Sequence, residues 1–119
     1  MALILIVDDA LLSRSMVKKI VKNLGHSTIE AKDGEEALSK IEQEKPDFVC
    51  LDMLIPKLNG IEVLQKLQEE NCSIPVVMIT ADTQETTRQK GLELGAISVL
   101  NKPVKAEILK ELINNSLNL

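Results

Sequence analysis

Short runs of apolar residues alternate along this chain with longer stretches in which apolar residues recur at helical spacing. Runs without polar positions are typical of parallel strands buried on both faces, and a period of 3.6 residues is typical of the helices that cover them. The runs predict five strands, at residues 2–7, 27–31, 47–52, 74–81 and 97–101. The spacing predicts five helices, over residues 11–24, 34–45, 61–70, 83–94 and 105–117.

The first predicted helix carries an apolar residue at every fourth position. These residues are Leu12, Met16, Ile20 and Leu24. Such a row is typical of the helix face that packs on a core, so we expect all four side chains, Met16 included, to be buried. Gly25 follows as a helix stop, and we therefore expect His26, the only histidine of the chain, at the surface.

Strand and helix alternate five times, which predicts an α/β fold with a single domain over residues 1–119. Right-handed crossovers place helices on both faces of the sheet, so the fold is a doubly wound (βα)5 sandwich with five parallel strands. In sheets of this kind the functional site lies beyond the carboxyl ends of the strands, at a switch point in the strand order. The residues at those ends are therefore the first candidates for function.

Composition narrows the class of protein. The net charge is −4 and there is no basic run, which argues against a nucleic-acid partner. No apolar run approaches ~20 residues, and no basic segment precedes the first run, so we expect neither a membrane partner nor a signal peptide. Cys50 and Cys72 fit neither a metal spacing nor a disulfide framework, and Cys50 is expected in the core. These features together predict a cytoplasmic protein.

Acidic, hydroxyl and amine side chains stand where the predicted strands end. Asp8 and Asp9 follow the first strand, and the third strand ends on Asp52. The fourth strand ends on Thr80 and the fifth on Lys102. A single aspartate at such a place is ordinarily a turn or helix-cap residue. Chance rarely collects all of these residue types at one edge of a sheet, and the combination therefore indicates a site.

These residue types suit phosphoryl transfer to a carboxylate. Three carboxylates favour a hard cation such as Mg²⁺, which would also supply the positive charge that adjacent Asp8 and Asp9 require. Asp52 is then the candidate nucleophile, and its product would be an acyl phosphate. Lys102 and the Thr80 hydroxyl are suited to contact phosphoryl oxygens.

Four short motifs carry these residues in order along the chain. They are VDD at 7–9, LDMLIPKLNG at 51–60, ITA at 79–81 and NKP at 101–103. Each motif is weak alone, but their order at successive strand ends is a strong signal. With these motifs the whole chain resembles the receiver domain of two-component response regulators, in its single-domain, chemotaxis-type form. The resemblance implies a flavodoxin-like sheet with the strand order 2-1-3-4-5.

The resemblance also implies the acceptor and the metal ligands. Asp52 would accept a phosphoryl group from a histidine kinase or a histidine phosphotransfer protein. The cofactor would be Mg²⁺, with Mn²⁺ able to substitute. Asp8, Asp9 and Asp52 would form the metal site together with the backbone carbonyl of Leu54.

Further residues are implied to contact the phosphoryl group. Lys102 would bind it directly, and the peptide bond between Lys102 and Pro103 would be cis. Thr80 would move toward the phosphate when the protein is modified, and the backbone of Ala81 would contact it. The fourth helix, fifth strand and fifth helix would form the face that an unidentified downstream protein reads. We expect a monomer and leave open whether phosphorylation causes dimerisation.

The chain departs from the family pattern at two positions. Receiver domains often carry Tyr or Phe three residues before the lysine, and Val99 stands there in this chain. Valine is stiff at χ1 and has no ring to swing, so half of the family's switch is missing. Leu54, two residues after Asp52, has no polar group to orient an attacking water. We therefore expect slow self-dephosphorylation.

Several functional readings stay open at this stage. A receiver of this kind would be a signalling module and not a classical enzyme, because it would catalyse only its own phosphorylation and dephosphorylation. It could also be a relay intermediate, a phosphate sink or the receiver fragment of a larger regulator. An Asp-nucleophile phosphatase or phosphotransferase usually needs a second carboxylate near the nucleophile, and Leu54 speaks against it. A flavin carrier ranks last because the chain has one Phe and no Trp or Tyr.

Overall fold

The computed structural model describes residues 1–117, in which five strands alternate with five helices. The strands are β1 (Leu3–Val7), β2 (Ser27–Ala31), β3 (Phe48–Asp52), β4 (Val76–Thr80) and β5 (Ser98–Asn101). The helices are α1 (Leu11–Asn23), α2 (Gly34–Glu44), α3 (Gly60–Glu69), α4 (Glu85–Glu93) and α5 (Ala106–Ser116). Every predicted element exists. The bounds differ most at β4 and α4, each of which begins two residues later and ends one residue earlier than predicted, and Lys102 follows β5 directly.

All five strands are parallel and lie in the order β2-β1-β3-β4-β5, which confirms the predicted doubly wound α/β sheet. The chain leaves β1 toward one edge and returns to its other side with β3, so the order reverses between these two strands. Val7 pairs with Leu51 across that junction. The residues that follow β1 and end β3 therefore meet at the switch point, where a crevice forms in folds of this type.

Two hydrophobic clusters cover the two faces of the sheet. One cluster joins strand residues such as Leu51 and Met78 to the apolar faces of α2 and α3. The other joins Ile6, Phe48 and Cys50 to α1 and α5. Alternate strand residues serve opposite clusters because successive side chains point to opposite faces. The prediction that Cys50 lies in the core is confirmed.

The prediction for the buried face of α1 is partly wrong. Val17 and Val21 are the buried residues of this helix, whereas Leu12 is 76% and Met16 50% exposed. Four residues in a helix turn through more than a full circle, so a row at every fourth position drifts by about 40° per step. The row therefore leaves the core toward the first turn of α1. There Leu12 and Met16 line an apolar groove with Pro103 and Val104.

His26 is buried, so the prediction of a surface position is wrong. Its Nδ1 accepts a hydrogen bond of 3.1 Å from the backbone N–H of Ala2. The backbone of Ala2 also accepts a 2.9 Å bond from the N–H of Ser27. The start of the chain thus contacts the imidazole. The prediction of a surface position relied on Gly25 ending the helix, and that signal says nothing about a contact with Ala2.

No helix among residues 1–117 combines the length and the apolar character that crossing a bilayer requires.

Candidate functional site

The structure brings the three predicted carboxylates together at the switch point. One oxygen from each of Asp8, Asp9 and Asp52 lies within 4.8 Å of the others. Asp8 and Asp52 are buried, at 3% and 5% exposure, while Asp9 is exposed. The three carboxylates therefore line a crevice, in which Asp8 and Asp52 are buried and Asp9 lies at the surface.

Lys102 lies between the two buried carboxylates. Its Nζ donates a 3.1 Å hydrogen bond to Oδ2 of Asp8 and a 2.9 Å bond to Oδ2 of Asp52. The backbone N–H of Lys102 is held by the carbonyl of Thr80 at 2.9 Å, and the Lys102–Pro103 peptide bond is cis. Two negative charges share one positive charge here, so the site carries an excess of negative charge.

The two buried aspartates respond differently to this environment. Burial raises the pKa of Asp52. Hydrogen bonds from the Lys102 ammonium and the Leu54 N–H act in the opposite direction but do not outweigh burial. Burial also acts to raise the pKa of Asp8, but hydrogen bonds from Ser13, Ala10 and Lys102 together lower it. Burial thus makes Asp52 the more basic carboxylate of the pair.

Backbone N–H groups orient one oxygen of each buried aspartate. Ala10 donates to Oδ1 of Asp8 at 2.9 Å, and Leu54 donates to Oδ1 of Asp52 at 3.2 Å. The Leu54 side chain is 58% exposed and lies at the surface of the loop after β3. The second oxygen of each carboxylate faces Lys102 and the crevice.

A close backbone approach holds the loop between β3 and α3. A Cβ atom on Gly60 would lie 2.7 Å from Cα of Met53, and one on Gly34 would clash with the carbonyl oxygen of Leu58. The N–H of Gly60 donates to the carbonyl of Met53 at 2.8 Å, which closes the loop onto the first turn of α3. Glycine at these two positions therefore lets the loop lie close to Asp52.

Thr80 is fully buried at the end of β4, and its hydroxyl oxygen accepts a 3.0 Å bond from the N–H of Asp82. Asn101 ties the same loop to β5, since its Nδ2 donates to the carbonyl of Asp82 at 3.0 Å. Ala81, which lies between Thr80 and Asp82, is exposed. In this arrangement the Thr80 hydroxyl engages its own loop.

Val99 is buried beneath α4. Its carbonyl accepts a 3.1 Å bond from Nη1 of Arg88, and a Cβ atom on Gly91 would lie 3.3 Å from its Cγ2. The helix therefore approaches β5 through a glycine, and the side chain beneath it is a compact valine.

Arg14 contacts the site and Glu30 anchors Arg14, and the sequence reasoning did not single them out. Nη1 of Arg14 donates to the carbonyl of Asp8 at 2.8 Å, and its Nε donates to Glu30 at 2.7 Å. The only hint in the sequence is a basic residue in α1 and an acidic residue in a strand that is otherwise poor in charge.

The donor set fits a hard divalent cation. Carboxylate oxygens dominate it, the excess charge is negative, and the crevice opens at the exposed Asp9. Mg²⁺ is usually bound by one or two carboxylates and keeps several waters, which an open site permits. Asp8, Asp9 and Asp52 are the side chains that would hold it.

The chain belongs to the response regulator receiver domain family, because the sequence model of that family matches residues 4–114. Receiver domains of this family act in two-component signalling, and the acidic crevice of Asp8, Asp9 and Asp52 fits the phosphorylation site of such a domain. The fold and the site therefore define the same class of protein that the four motifs resemble.

The chain is similar in sequence to proteins of about its own length and to longer proteins. Protein PilH of Pseudomonas aeruginosa is 37% identical over 116 residues, with 96% of each chain covered. The alkaline phosphatase synthesis transcriptional regulatory protein PhoP of Bacillus subtilis is 43% identical over 100 residues, which are 84% of this chain and 42% of that protein. The chain thus spans less than half the length of PhoP but nearly the whole of PilH.

Solved structures agree with the family. The receiver domain of Francisella response regulator 1452 superposes with a TM-score of 0.93 at 28% identity, covering 99% of this chain and 98% of that one. A chain of the CheX-CheY-BeF3-Mg complex from Borrelia burgdorferi superposes with a TM-score of 0.89 at 30% identity, covering 97% of this chain and 88% of that one.

Proposed function

We propose that Asp52 accepts a phosphoryl group from a histidine kinase or a histidine phosphotransfer protein, in a reaction that requires a divalent cation. The supporting observation is the placement of Asp52: it is buried at the end of β3, one of its oxygens lies within 4.8 Å of oxygens of Asp8 and Asp9, and its Oδ2 accepts a 2.9 Å bond from the Lys102 ammonium. In the transfer an oxygen of Asp52 forms the new P–O bond while the N–P bond of the phosphohistidine breaks.

The surrounding residues would position and neutralise the phosphoryl group. Lys102 already contacts Asp52 and would turn to a phosphoryl oxygen, because an ammonium carries three donors on a flexible stem. Bound Mg²⁺, with Mn²⁺ as a substitute, would offset the charge on the phosphoryl oxygens. The backbone carbonyl of Leu54 would be a further ligand. Thr80 and the N–H of Ala81 would donate to the remaining oxygens.

Phosphorylation would then bias an equilibrium between two arrangements of the loop after β4. The Thr80 hydroxyl would leave the N–H of Asp82 in favour of the phosphate, and the face formed by α4, β5 and α5 would change. Buried Val99 is too compact to report this change as a ring would. A downstream protein would therefore read the position of α4. We propose that the domain is cytoplasmic and that it is monomeric when it is not phosphorylated.

The proposed chemistry is limited to the domain's own phosphorylation and dephosphorylation. The residue two positions after Asp52 is Leu54, whose side chain cannot act as an acid or base toward a second substrate. This favours a signalling domain over an Asp-nucleophile phosphatase, and it implies a long-lived acyl phosphate.

The test is an intact-mass measurement after incubation with Mg²⁺ and acetyl phosphate. We expect one phosphoryl adduct in the parent protein, none in Asp52→Ala and none when a chelator is added before the donor. Asp47→Ala is a matched control at the other end of the same strand region and should still be modified. An adduct that persists in Asp52→Ala would contradict the assignment of the acceptor.

A further inference from the structure

Arg14 projects from α1 across the junction between β1 and β2. Its side chain is 11% exposed, and its guanidinium makes two different contacts. Nε pairs with Oε1 of Glu30 on β2 at 2.7 Å, and Nη1 donates to the backbone carbonyl of Asp8 at 2.8 Å. The two nitrogens therefore link a fixed carboxylate in the sheet to the turn that carries the metal-site aspartates.

The Asp8 side chain in that turn is held by the Ala10 N–H at 2.9 Å and by the Lys102 ammonium at 3.1 Å, and neither contact involves the Asp8 carbonyl. Within residues 1–117 no side chain caps the start of α1, whose cap position is Ala10. The N–H of Asp8 donates to the carbonyl of Ala31 at 3.1 Å. The N–H of Arg14 donates to the carbonyl of Ala10 at 2.9 Å. The carbonyl of Asp8 is met by the Arg14 guanidinium, so this contact sets the direction of the peptide that joins Asp8 to Asp9.

We propose that Arg14 is a positioning residue of the metal site, which orients the Asp8–Asp9 peptide through the Asp8 carbonyl and is itself anchored by Glu30. The inference rests on the proposed function, since the metal is what the two aspartates are positioned to bind. Groups behind metal ligands commonly change metal affinity by about 10- to 100-fold when they are removed.

A purely structural ion pair would make a different prediction. Glu30 also pairs with Nζ of Lys18 at 3.1 Å, on the same helix, and the Lys18 side chain is 36% exposed. Lys18 makes the same kind of ion pair with Glu30 as Arg14 does, but the contact to the Asp8 carbonyl is made by Arg14. If the ion pairs only tie α1 to β2, both residues should affect stability and neither should affect metal binding selectively.

The experiment compares Arg14→Met with Lys18→Met by titrating metal-free protein with Mg²⁺ in a calorimeter. Methionine keeps the length and helix preference of both side chains and removes the charge. We expect the dissociation constant for Mg²⁺ to rise about tenfold in Arg14→Met and to stay within about twofold of the parent in Lys18→Met. The thermal midpoint without metal is measured on each variant, to show that the protein titrated is folded.

Arg14→Lys provides the conservative variant. A lysine nitrogen can meet Glu30 or the Asp8 carbonyl, but it cannot occupy the positions of Nε and Nη1 together. We expect Arg14→Lys to recover the thermal midpoint of the parent while Mg²⁺ binding stays weakened. Glu30→Gln, which loosens the anchor and keeps its shape, should weaken binding less than Arg14→Met does.

Unchanged Mg²⁺ affinity in folded Arg14→Met would overturn the inference, and so would equal losses in Arg14→Met and Lys18→Met. The same measurements on the parent protein distinguish a failure of this inference from a failure of the proposed function. If the parent binds Mg²⁺ and forms the Asp52 adduct while Arg14→Met matches it, the positioning role fails and the proposed function stands. If the parent binds no Mg²⁺, the metal site fails, and the role of Arg14 fails with it.

Discussion

Asp8 and Asp52 show at the scale of single residues how neighbours decide what a buried carboxylate does. Both contact the Lys102 ammonium, at 3.1 and 2.9 Å. Asp8 has further donors in Ser13 and Ala10, and its pKa falls below the ordinary value of 3.8, whereas burial carries the pKa of Asp52 above that value. Charge is thus stabilised on Asp8 and costly on Asp52.

This difference predicts opposite effects of Asp→Asn substitutions in metal-free protein. The raised pKa of Asp52 costs stability: the loss starts above the unfolded value of 3.8 and is complete above the folded pKa, so Asp52→Asn should stabilise at about pH 7 by on the order of 1 kcal/mol. Ionised Asp8 contributes stability above pH 3.8 that is lost as the pH falls through its lowered pKa, so Asp8→Asn should destabilise at neutral pH. Both effects should vanish in acid, where the carboxyls are protonated in folded and unfolded protein.

The measurement is thermal unfolding in the presence of a chelator, from about pH 7 down to about pH 3. The two variants control for each other, because each removes one carboxylate from the same ammonium. A loss of stability in Asp52→Asn equal to that in Asp8→Asn would contradict the assigned difference between the two groups.

Leu54 carries the second prediction at this scale. Its side chain lies exposed beside Asp52 and has no group that could hold water in line with the acyl phosphate. Leu54→Asn should shorten the lifetime of the phosphorylated protein, by roughly tenfold if the amide positions a water. Phosphate release from purified phosphoprotein measures it, and Leu54→Met should decay at the parent rate. Equal lifetimes in all three proteins would mean that this position does not control hydrolysis.

At the scale of elements, α4 is the least anchored helix. All nine of its residues are described, and Gly91 is the one that is buried. Its first turn is attached to the preceding loop by the side chain of Asp82, which accepts 2.8 Å bonds from the Gln84 N–H and from the Thr87 hydroxyl. Asp82 is in turn bonded to Thr80 through its N–H. A movement of Thr80 can therefore reach α4 without an aromatic residue.

Thr87→Val should loosen this connection while it keeps the shape of the side chain. We expect amide hydrogen exchange in the loop after β4 and in the first turn of α4 to quicken about threefold, because a hydrogen bond is lost and little packing changes. Thr86→Val is the matched control, since Thr86 is the exposed neighbour. Exchange that quickens equally in both variants would show that the Thr87 hydroxyl does not hold the loop.

At the scale of the whole molecule, parallel strands gather residues from the length of the chain at one edge of the sheet. Asp8 and Lys102, 94 positions apart, meet there. The carboxylate site therefore exists in the folded protein and not in the unfolded chain, and any cation bound to it stabilises the fold by mass action.

Mg²⁺ should accordingly raise the stability of the domain by about 2.7 kcal/mol at ~100 times its dissociation constant. A chelator should reverse the shift in the thermal midpoint. Asp9→Asn should leave the metal-free midpoint nearly unchanged, because Asp9 is exposed, and should reduce the response to Mg²⁺. A full response in Asp9→Asn would remove this residue from the metal site.

The sequence by itself determined the fold and the location of the site. Runs such as Val76–Thr80, alternating with helical stretches, are typical of a covered parallel sheet, and parallel strands put their carboxyl ends on one side. Asp8, Asp9, Asp52, Thr80 and Lys102 were therefore predictable as a group, because each stands next to such an end. The periodicity of α1 was a weaker guide, since a row at every fourth position drifts away from the core.

The tertiary structure decided everything that depends on distances between remote residues. The buried position of His26, the two contacts of Arg14 and the path from Thr80 through Asp82 to Thr87 depend on how the elements are placed in space, and periodicity does not encode that placement. The same holds for the pKa values of Asp8 and Asp52: both are aspartates that end or follow a strand, but burial decides the shift at Asp52, whereas hydrogen bonds outweigh burial at Asp8.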